Sequence, residues 1–176
     1  MNRAVLTFSA FALIGAGALR AQNILSAEAV TNYEAVKANI MKAAEKMPDD
    51  SFGFKPTPAV RNFGELIAHV ADAQMAMCSL VKGDMKRGDA ASKTTKADLI
   101  AALKASDDFC DAVYSAMTDA DGMATVESPL GTRSKLGMLN FNALHDNEMY
   151  GTMAVYLRLK GLVPPSTEGA AAARAK

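Results

Sequence analysis

Four stretches of about 20 residues carry apolar side chains every three or four positions, the spacing that places them on one face of a helix. Loops that contain proline or glycine separate most of these stretches. No segment shows a convincing strand pattern, and no repeat is present. The expected helices run from Ser26 to about Met47, from Asn62 to about Lys82, from Thr95 to about Met117 and from Ser134 to about Lys160. The pattern predicts an all-α protein, a four-helix bundle.

The helix boundaries carry recognisable signals. Asn62 is a good first residue for the second helix, and Thr95 with Asp98 resembles a capping box for the third. Residues 118–133 contain glycine and proline and are expected to be irregular. The bundle domain is therefore placed at residues 22–166. Residues 167–176 are rich in alanine, have nothing large to bury and are expected to form a flexible tail.

Residues 1–21 have the outline of a secretory signal peptide. Arg3 supplies a basic start, residues 4–19 are uncharged and mostly apolar, and small residues precede two plausible cuts, after Ala18 or after Ala21. An uncleaved N-terminal anchor is the alternative, although the apolar stretch is short for a membrane span. We expect an exported protein, periplasmic or secreted, with no membrane span in the mature chain.

The charge balance excludes some classes of function. Lys plus Arg and Asp plus Glu both number 19, so the chain lacks the basic surface of a nucleic-acid binder. No nucleotide-binding loop, nucleophile elbow or H-E-x-x-H string is present.

Cys78 and Cys110 are the two cysteines, and they admit two interpretations. In an oxidising compartment they can form a disulfide, which would stabilise the fold by about 3 kcal/mol. They can equally be two buried free thiols, because cysteine is often buried. They form no C-x-x-C pair, so a redox or zinc-ribbon motif has no support.

The chain has two histidines, far apart in the sequence. His69 lies at the border of the apolar stripe of the second helix. His145 lies on the last helix, on a face that is predicted to point into the bundle. That face comprises Met138, Phe141, His145, Met149, Thr152 and Tyr156. A bundle can build a metal site from facing helices, but each histidine alone is more often a packed, hydrogen-bonded residue.

Several strings together resemble the DinB-like superfamily of small helical proteins. They are Phe-Gly-Phe-Lys-Pro-Thr-Pro at 52–58, Asn-Phe-Gly-Glu-Leu-Ile-Ala-His-Val-Ala-Asp at 62–72, Leu-His-Asp-Asn-Glu-Met-Tyr-Gly-Thr-Met at 144–153 and Val-Tyr-Leu-Arg-Leu-Lys-Gly-Leu-Val-Pro-Pro at 155–165. The resemblance covers about residues 25–166.

The resemblance implies an up-down-down-up four-helix bundle with a divalent-metal site made by three histidines. His69 matches the histidine of the second helix, and His145 matches the first of an H-x-x-x-H pair on the last helix. Met149 stands where the third histidine is expected. Relatives include metal-dependent thiol transferases and a mycothiol-dependent isomerase.

The substitution at Met149 weakens the expected site. A neutral thioether is a poor replacement for imidazole on zinc or nickel, so any such metal would bind with reduced affinity. Two histidines with water could still hold a metal weakly, and Glu65 or Glu148 could swing in as an oxygen ligand, although both are expected to point away from the centre. A His–His–Met set suits Cu(I) better, but the 11 methionines are not clustered as in copper-binding tracts.

Three further residues are candidates for secondary roles. Asp72 can orient an imidazole as an outer hydrogen-bond acceptor, or it can be a solvated surface acid. Tyr156 can donate a hydrogen bond into the pocket, or its hydroxyl can face water. Gly151 lies inside the last helix at a cost of about 1 kcal/mol relative to alanine, so we expect it to permit close approach of another helix.

Two functional hypotheses follow. In the first, the chain is a non-catalytic bundle that binds a small molecule or an unidentified protein outside the cytoplasm. In the second, it is a metal-dependent thiol transferase or hydrolase that uses His69 and His145. A homodimer is a further option, but no exposed apolar stripe is evident in the sequence to argue for one.

Overall fold

Four long helices form the protein in a computed structural model that describes residues 23–129 and 131–174. The predicted signal peptide, residues 1–21, lies outside the described residues. The long helices are α1 (Ile24–Lys46), α2 (Phe63–Lys82), α3 (Lys96–Ala116) and α5 (Lys135–Leu159). Shorter elements are α4 (Asp119–Gly122), β1 (Thr125–Ser128), β2 (Gly131–Ser134), α6 (Pro165–Arg174) and the 3₁₀ turns Asp49–Ser51 and Ala90–Ser92. The fold is the all-α four-helix bundle that the sequence predicts.

The helix directions follow from contacts between helix ends. Cys78 and Cys110 are joined late in α2 and late in α3, so these two helices are parallel. Lys96 at the start of α3 donates to the carbonyl of Met47 just beyond α1, so α1 and α3 are antiparallel. The Tyr156 hydroxyl near the end of α5 donates to the carbonyl of Arg61, just before α2, so α2 and α5 are antiparallel. The order is up-down-down-up, and α1 and α5 pack side by side in parallel.

The predicted helix signals act as expected. The Asn62 side chain accepts from the backbone N–H of Glu65, while the Glu65 carboxylate accepts from the backbone N–H of Asn62, which forms a complete capping box. Thr95 and Ser134 cap α3 and α5 in the same way, each through its side-chain oxygen. Gly83 ends α2 with a φ of 76°, a left-handed conformation that glycine adopts without strain.

Residues 118–133 differ from the irregular segment that the sequence predicts. They contain α4 and the antiparallel hairpin of β1 and β2, in which Thr125 pairs with Ser134 and Ser128 pairs with Gly131. Each strand has four residues and none of them is fully buried. A strand this short and exposed leaves almost no alternation of apolar and polar residues for sequence analysis to detect.

The C-terminal segment also differs from the expected flexible tail, because residues 165–174 form α6. Pro165 occupies the first helical position, and the alanines that follow have the highest helix propensity. Polar contacts hold the helix to the bundle, since the Tyr150 hydroxyl bonds Ser166 at 2.8 Å and Lys46 pairs with Glu168. The tail buries little apolar surface, and its attachment is polar.

Two apolar clusters make the core. One lies where α1 and α5 end and α2 and α3 begin, and it includes Ile40, Phe63 and Leu157. The other lies at the opposite end of the bundle and includes Cys78, Cys110 and Leu139. The two cysteines form a disulfide between α2 and α3, with a Cα–Cα distance of 5.4 Å. None of the described helices is both long and apolar enough to cross a membrane.

Replacing both cysteines with alanine tests the contribution of the disulfide. We expect the free energy of unfolding to fall by about 3 kcal/mol, because the bond closes a long loop in the unfolded chain. Urea unfolding followed by circular dichroism measures the change. Wild-type protein treated with a reductant is the control and should lose a similar amount, whereas unchanged unfolding in both samples would contradict the prediction.

Candidate functional site

The fold brings the two histidines into contact. Antiparallel packing of α2 on α5 places Nε2 of His69 3.0 Å from Nε2 of His145. The ring centroids are 4.9 Å apart and the ring planes are inclined by 70°. Both side chains are half-buried. The two nitrogens thus converge on one point between the helices, as the sequence predicts.

The buried face of α5 is rotated by about one residue from the predicted face. Asn142, Asp146, Tyr150 and Met153 are buried, whereas Phe141, His145, Met149 and Thr152 are only half-buried. The prediction relied on apolar residues to mark the interior, but α5 buries an amide and a carboxylate instead. His145 therefore lies at the edge of the core and faces α2, rather than the bundle axis.

Asp146 is a candidate site residue that the sequence analysis missed. Its side chain is fully buried, and its Oδ1 lies 3.6 Å from Nδ1 of His145, the distance of an ion-pair contact rather than a hydrogen bond. A carboxylate behind an imidazole favours the tautomer that carries the proton on Nδ1. This assignment leaves Nε2 of His145 as an acceptor, so His69 donates its Nε2–H to it. The directly adjacent His145-Asp146 pair was the available signal.

A polar network holds Asp146 in place. Oδ2 of Asp146 accepts from the Gln74 amide at 2.9 Å and from the Asn142 amide at 3.3 Å. Gln74 in turn accepts from the Ser106 hydroxyl at 2.8 Å. All four side chains are at most 1% exposed. The network links α2, α3 and α5 and fixes the position of His145 from behind.

The surroundings of His69 favour its neutral form. Partial burial, the nearby guanidinium of Arg61 and His145 together lower the pKa of His69 below its usual value, in that order of importance. Burial raises the pKa of Asp146, because a charged carboxylate is costly in a low-dielectric core.

Met149, the residue that stands where a third histidine is expected, is half-buried on α5. It packs against the apolar core and lines a separate cavity with Ala59, Val60 and Tyr156. Glu65 is engaged in its capping box, and Glu148 is exposed without a side-chain partner among the described residues. The described part of the chain contains no group of three or more His, Cys, Asp or Glu residues that could hold a metal ion. Two imidazoles and a thioether do not fit zinc or nickel, which favour a fuller set of nitrogen and oxygen donors.

Asp72 and Tyr156 bind backbone groups rather than the imidazoles. The Asp72 carboxylate accepts from the backbone N–H groups of Ala90 and Ala91 at 2.9 and 3.0 Å, which anchors the loop between α2 and α3. Gly88 lies so close to Asp72 that a Cβ there would clash with its backbone. The buried Tyr156 donates its hydroxyl to the carbonyl of Arg61 at 2.8 Å.

A cavity of about 610 Å³ opens beside His69. Its walls come from the start of α2, the preceding loop and the loop that Asp72 anchors. Phe52, Ala68 and Leu99 give it an apolar part, while Arg61, His69 and Thr94 supply polar groups. Glu65 and Asp72 also line it, but backbone hydrogen bonds already engage both carboxylates. The cavity can accept a small molecule that has both an apolar and a polar part.

A four-helix bundle with up-down-down-up order and facing histidines on its second and last long helices defines the structural class. The family model of the DinB superfamily matches residues 32–153, so the chain belongs to this superfamily. A comparison with curated proteins gives no match.

Solved structures show the same fold. A DinB-like protein from Bacillus cereus ATCC 10987 is 20% identical, with a TM-score of 0.69 over 82% of this chain and 97% of that one. A DinB-like protein from Bacillus subtilis is 19% identical, with a TM-score of 0.63 over 76% and 92%. The four-helix bundle protein TT2238 is 17% identical, with a TM-score of 0.58 over 72% and 94%. At these identities the likeness concerns the fold alone.

Asp107 should make the free energy of unfolding depend on pH. It is 6% exposed, its Oδ1 accepts no hydrogen bond from the described residues, and burial raises its pKa to about 7 despite the nearby Lys37. Because the folded state holds this proton more tightly than the unfolded state, Asp107 supports folding below about pH 4. That contribution is lost as the pH rises to about 7.

Asp107→Asn should therefore gain stability relative to wild type as the pH rises from about 4 to 8, by at most about 4 kcal/mol. Urea unfolding across this pH range measures the difference. Asp108→Asn is the matched control, because Asp108 is an exposed neighbour on the same helix. Parallel stability curves for wild type and Asp107→Asn would contradict the assignment.

Proposed function

We propose that this protein is a non-catalytic member of the DinB superfamily that binds a small molecule outside the cytoplasm. The ligand occupies the cavity beside His69, and the histidine pair serves as a polar wall rather than as a metal centre. The observation that carries the proposal is the direct contact of the two imidazoles, to which no third His, Cys, Asp or Glu is added to form a metal-binding group in the described part of the chain.

The chemistry of the donors supports a binding role. In the tautomers assigned above, the Nε2 atoms of the two histidines satisfy each other, and Oδ1 of Asp146 lies 3.6 Å behind Nδ1 of His145. A family metal site would need a third nitrogen, and residue 149 supplies a thioether instead. Among the other acidic residues near His69, Glu65 and Asp72 accept hydrogen bonds from the backbone of the cavity walls, whereas Glu148 is exposed.

The cavity itself favours a small organic ligand. Its apolar part, formed by Phe52 and Leu99, can bury a hydrocarbon surface, and Arg61 can pair with an acidic group, because its guanidinium forms no ion pair within the described residues. Neutral His69 can accept or donate one hydrogen bond. These features suit a small molecule with an acidic head and an apolar body.

Two observations support export. The segment before the bundle has the sequence pattern of a signal peptide. The disulfide between Cys78 and Cys110 is of the kind that persists in an oxidising compartment such as the periplasm. We therefore propose a periplasmic or secreted location.

A metal-dependent thiol transferase or hydrolase is the second candidate. The convergence of two Nε2 atoms and the carboxylate behind His145 favour it, since ligating histidines commonly contact a carboxylate through their other nitrogen. In that case His69 and His145 would hold zinc or nickel with low affinity, or Cu(I) with Met149.

Metal analysis separates the two candidates. Wild type and Met149→His are each loaded with zinc, nickel or copper, desalted and measured by inductively coupled plasma mass spectrometry. We expect an empty wild type and a Met149→His protein with close to one metal per chain, because the substitution restores a second imidazole one turn from His145.

His69→Ala in the Met149→His background is the control and should lose the metal. Stoichiometric metal in wild type that disappears in His69→Ala would overturn the binding proposal and establish the metalloprotein. If both wild type and Met149→His stay empty, the metal-dependent candidate fails.

Filling the cavity tests the ligand site independently. A thermal-shift screen with small organic acids should raise the melting temperature of wild type, because a ligand that binds the folded state stabilises it. Gly53→Trp should abolish the shift, since Gly53 lines the cavity and has free space around its Cα. Gly169→Trp, at an equally open position on α6, should keep it. Equal shifts in both variants would place the ligand elsewhere.

A further inference from the structure

Half of the asparagines in this chain line one groove. The chain has eight asparagines, and four of them form the polar walls of a groove of about 550 Å³ between α1 and α5. They are Asn32, Asn39, Asn140 and Asn147. Asparagine is unfavourable in the interior of a helix, because its side chain competes for backbone hydrogen bonds. Helix formation therefore does not explain four such residues on two neighbouring helices.

The four groove carboxamides have no partner among the described residues. Their side chains make no hydrogen bond there. The other three asparagines that the structure describes are engaged: Asn23 accepts from a backbone N–H, Asn62 caps α2 and Asn142 donates to a buried carboxylate. Each free carboxamide offers two donor hydrogens and one acceptor oxygen. The groove thus presents a set of neutral hydrogen-bonding groups to a molecule outside the chain.

The asparagines are arranged as two opposed pairs. Each helix contributes two asparagines seven residues apart, which lie on the same side of the helix and about 10.5 Å from each other along it. The parallel helices α1 and α5 are also in register. Tyr33 stacks on Tyr114, whose hydroxyl donates to the carbonyl of Leu139, so residues 33 and 139 are about level. The two asparagines of α1 therefore lie across the groove from the two of α5.

The floor of the groove is apolar and made of small side chains. Val36 and Ala143 close the bottom and are 6% and 7% exposed, and Ala35 and Leu144 flank them. None of the described residues that line the groove is ionisable or aromatic. An uncharged lining favours an uncharged ligand. A sugar ring presents a flat C–H face, which a planar aromatic side chain covers and small aliphatic side chains do not.

We propose that this groove binds a short uncharged peptide in the polyproline II conformation, and that the four carboxamides hold the peptide backbone. This conformation makes no internal hydrogen bonds, so each backbone N–H and C=O needs an outside partner. A carboxamide carries both a donor and an acceptor and matches either group. The conformation repeats every three residues, or about 9.3 Å, which is close to the spacing of about 10.5 Å between asparagines on one helix. Both opposed pairs therefore meet the same edges of one peptide.

Gly151 leaves the groove open at one end. It follows Asn147 by four residues on the same side of α5, and a Cβ added there would have no atom within 4 Å outside its own helix backbone. The close approach of another helix that the sequence predicts at Gly151 is therefore not made by any described part of this chain. A peptide can run past Asn147 without meeting a side chain at residue 151. The cavity beside His69 lies on the side of α2 and α3, so the two sites are separate.

Nuclear magnetic resonance of the chain labelled with ¹⁵N only in asparagine tests the site, because each carboxamide gives its own pair of signals. The probe is penta-alanine with an acetylated N-terminus and an amidated C-terminus. We expect saturable shifts of the four groove carboxamides and unchanged signals from Asn23, Asn62 and Asn142. Penta-alanine with a methylated backbone is the control and should bind at least about fivefold more weakly, because it has lost the N–H donors.

Substitutions in the groove test which groups bind the peptide. The double variant with Asn39→Asp and Asn147→Asp should bind penta-alanine at least about tenfold more weakly, because one opposed pair loses its donors. Asn23→Asp is the matched control, since Asn23 lies outside the groove and a carboxylate keeps its acceptor oxygen. It should bind the peptide like wild type.

Three outcomes overturn the proposal. The first is the absence of shifts in the groove carboxamides at millimolar penta-alanine. The second is equal binding of the methylated peptide, or of penta-alanine by the double variant. The third is a set of shifts that cellotetraose or a rise in protein concentration produces and penta-alanine does not, which would assign the groove to a saccharide or to a second copy of the chain.

Discussion

The buried contact between Gln74 and Asp146 is the constraint on which the rest of the bundle depends. Both side chains are fully buried, and the hydrogen bond of 2.9 Å joins α2 to α5 at a single register. A slide of either helix by one turn would leave an amide and a carboxylate unpaired in the core, which costs about 1–3 kcal/mol or more. Apolar packing alone would tolerate several registers, because leucine and methionine can repack. The polar layer, formed by Gln74 and Asp146 with Asn142 and Ser106, selects one register.

That register also creates the histidine pair. The antiparallel packing that joins Gln74 to Asp146 at 2.9 Å also places Nε2 of His69 3.0 Å from Nε2 of His145. The polar layer is not fully satisfied, however. One oxygen each of Asp107, Asn142 and Asp146 makes no hydrogen bond within the described residues. The layer therefore specifies the arrangement more than it stabilises it, and the two apolar clusters and the disulfide supply much of the stability.

The two sides of α5 that lie outside the core have different surroundings. The half-buried side of α5 presents His145 to α2 near the ligand cavity, and the outward side presents Leu144 and Gly151 to solvent. Met149 replaces the expected third histidine on the half-buried side. The helix keeps its packing there, since Met149 contacts the apolar core as a hydrophobic residue would. A thioether at residue 149, where the family pattern predicts an imidazole, is therefore compatible with the fold.

The sequence by itself determined the number and ends of the long helices, because caps such as Asn62 with Glu65 and Thr95 with Asp98 are local interactions. It also identified the family and the two histidines. Only the tertiary structure decided the rotation of α5, since the periodicity of apolar residues cannot reveal a buried Asn142 and Asp146 that find partners on other helices. The hairpin and α6 were decided the same way, by contacts such as that of Tyr150 with Ser166, which join residues through the fold rather than through local pattern.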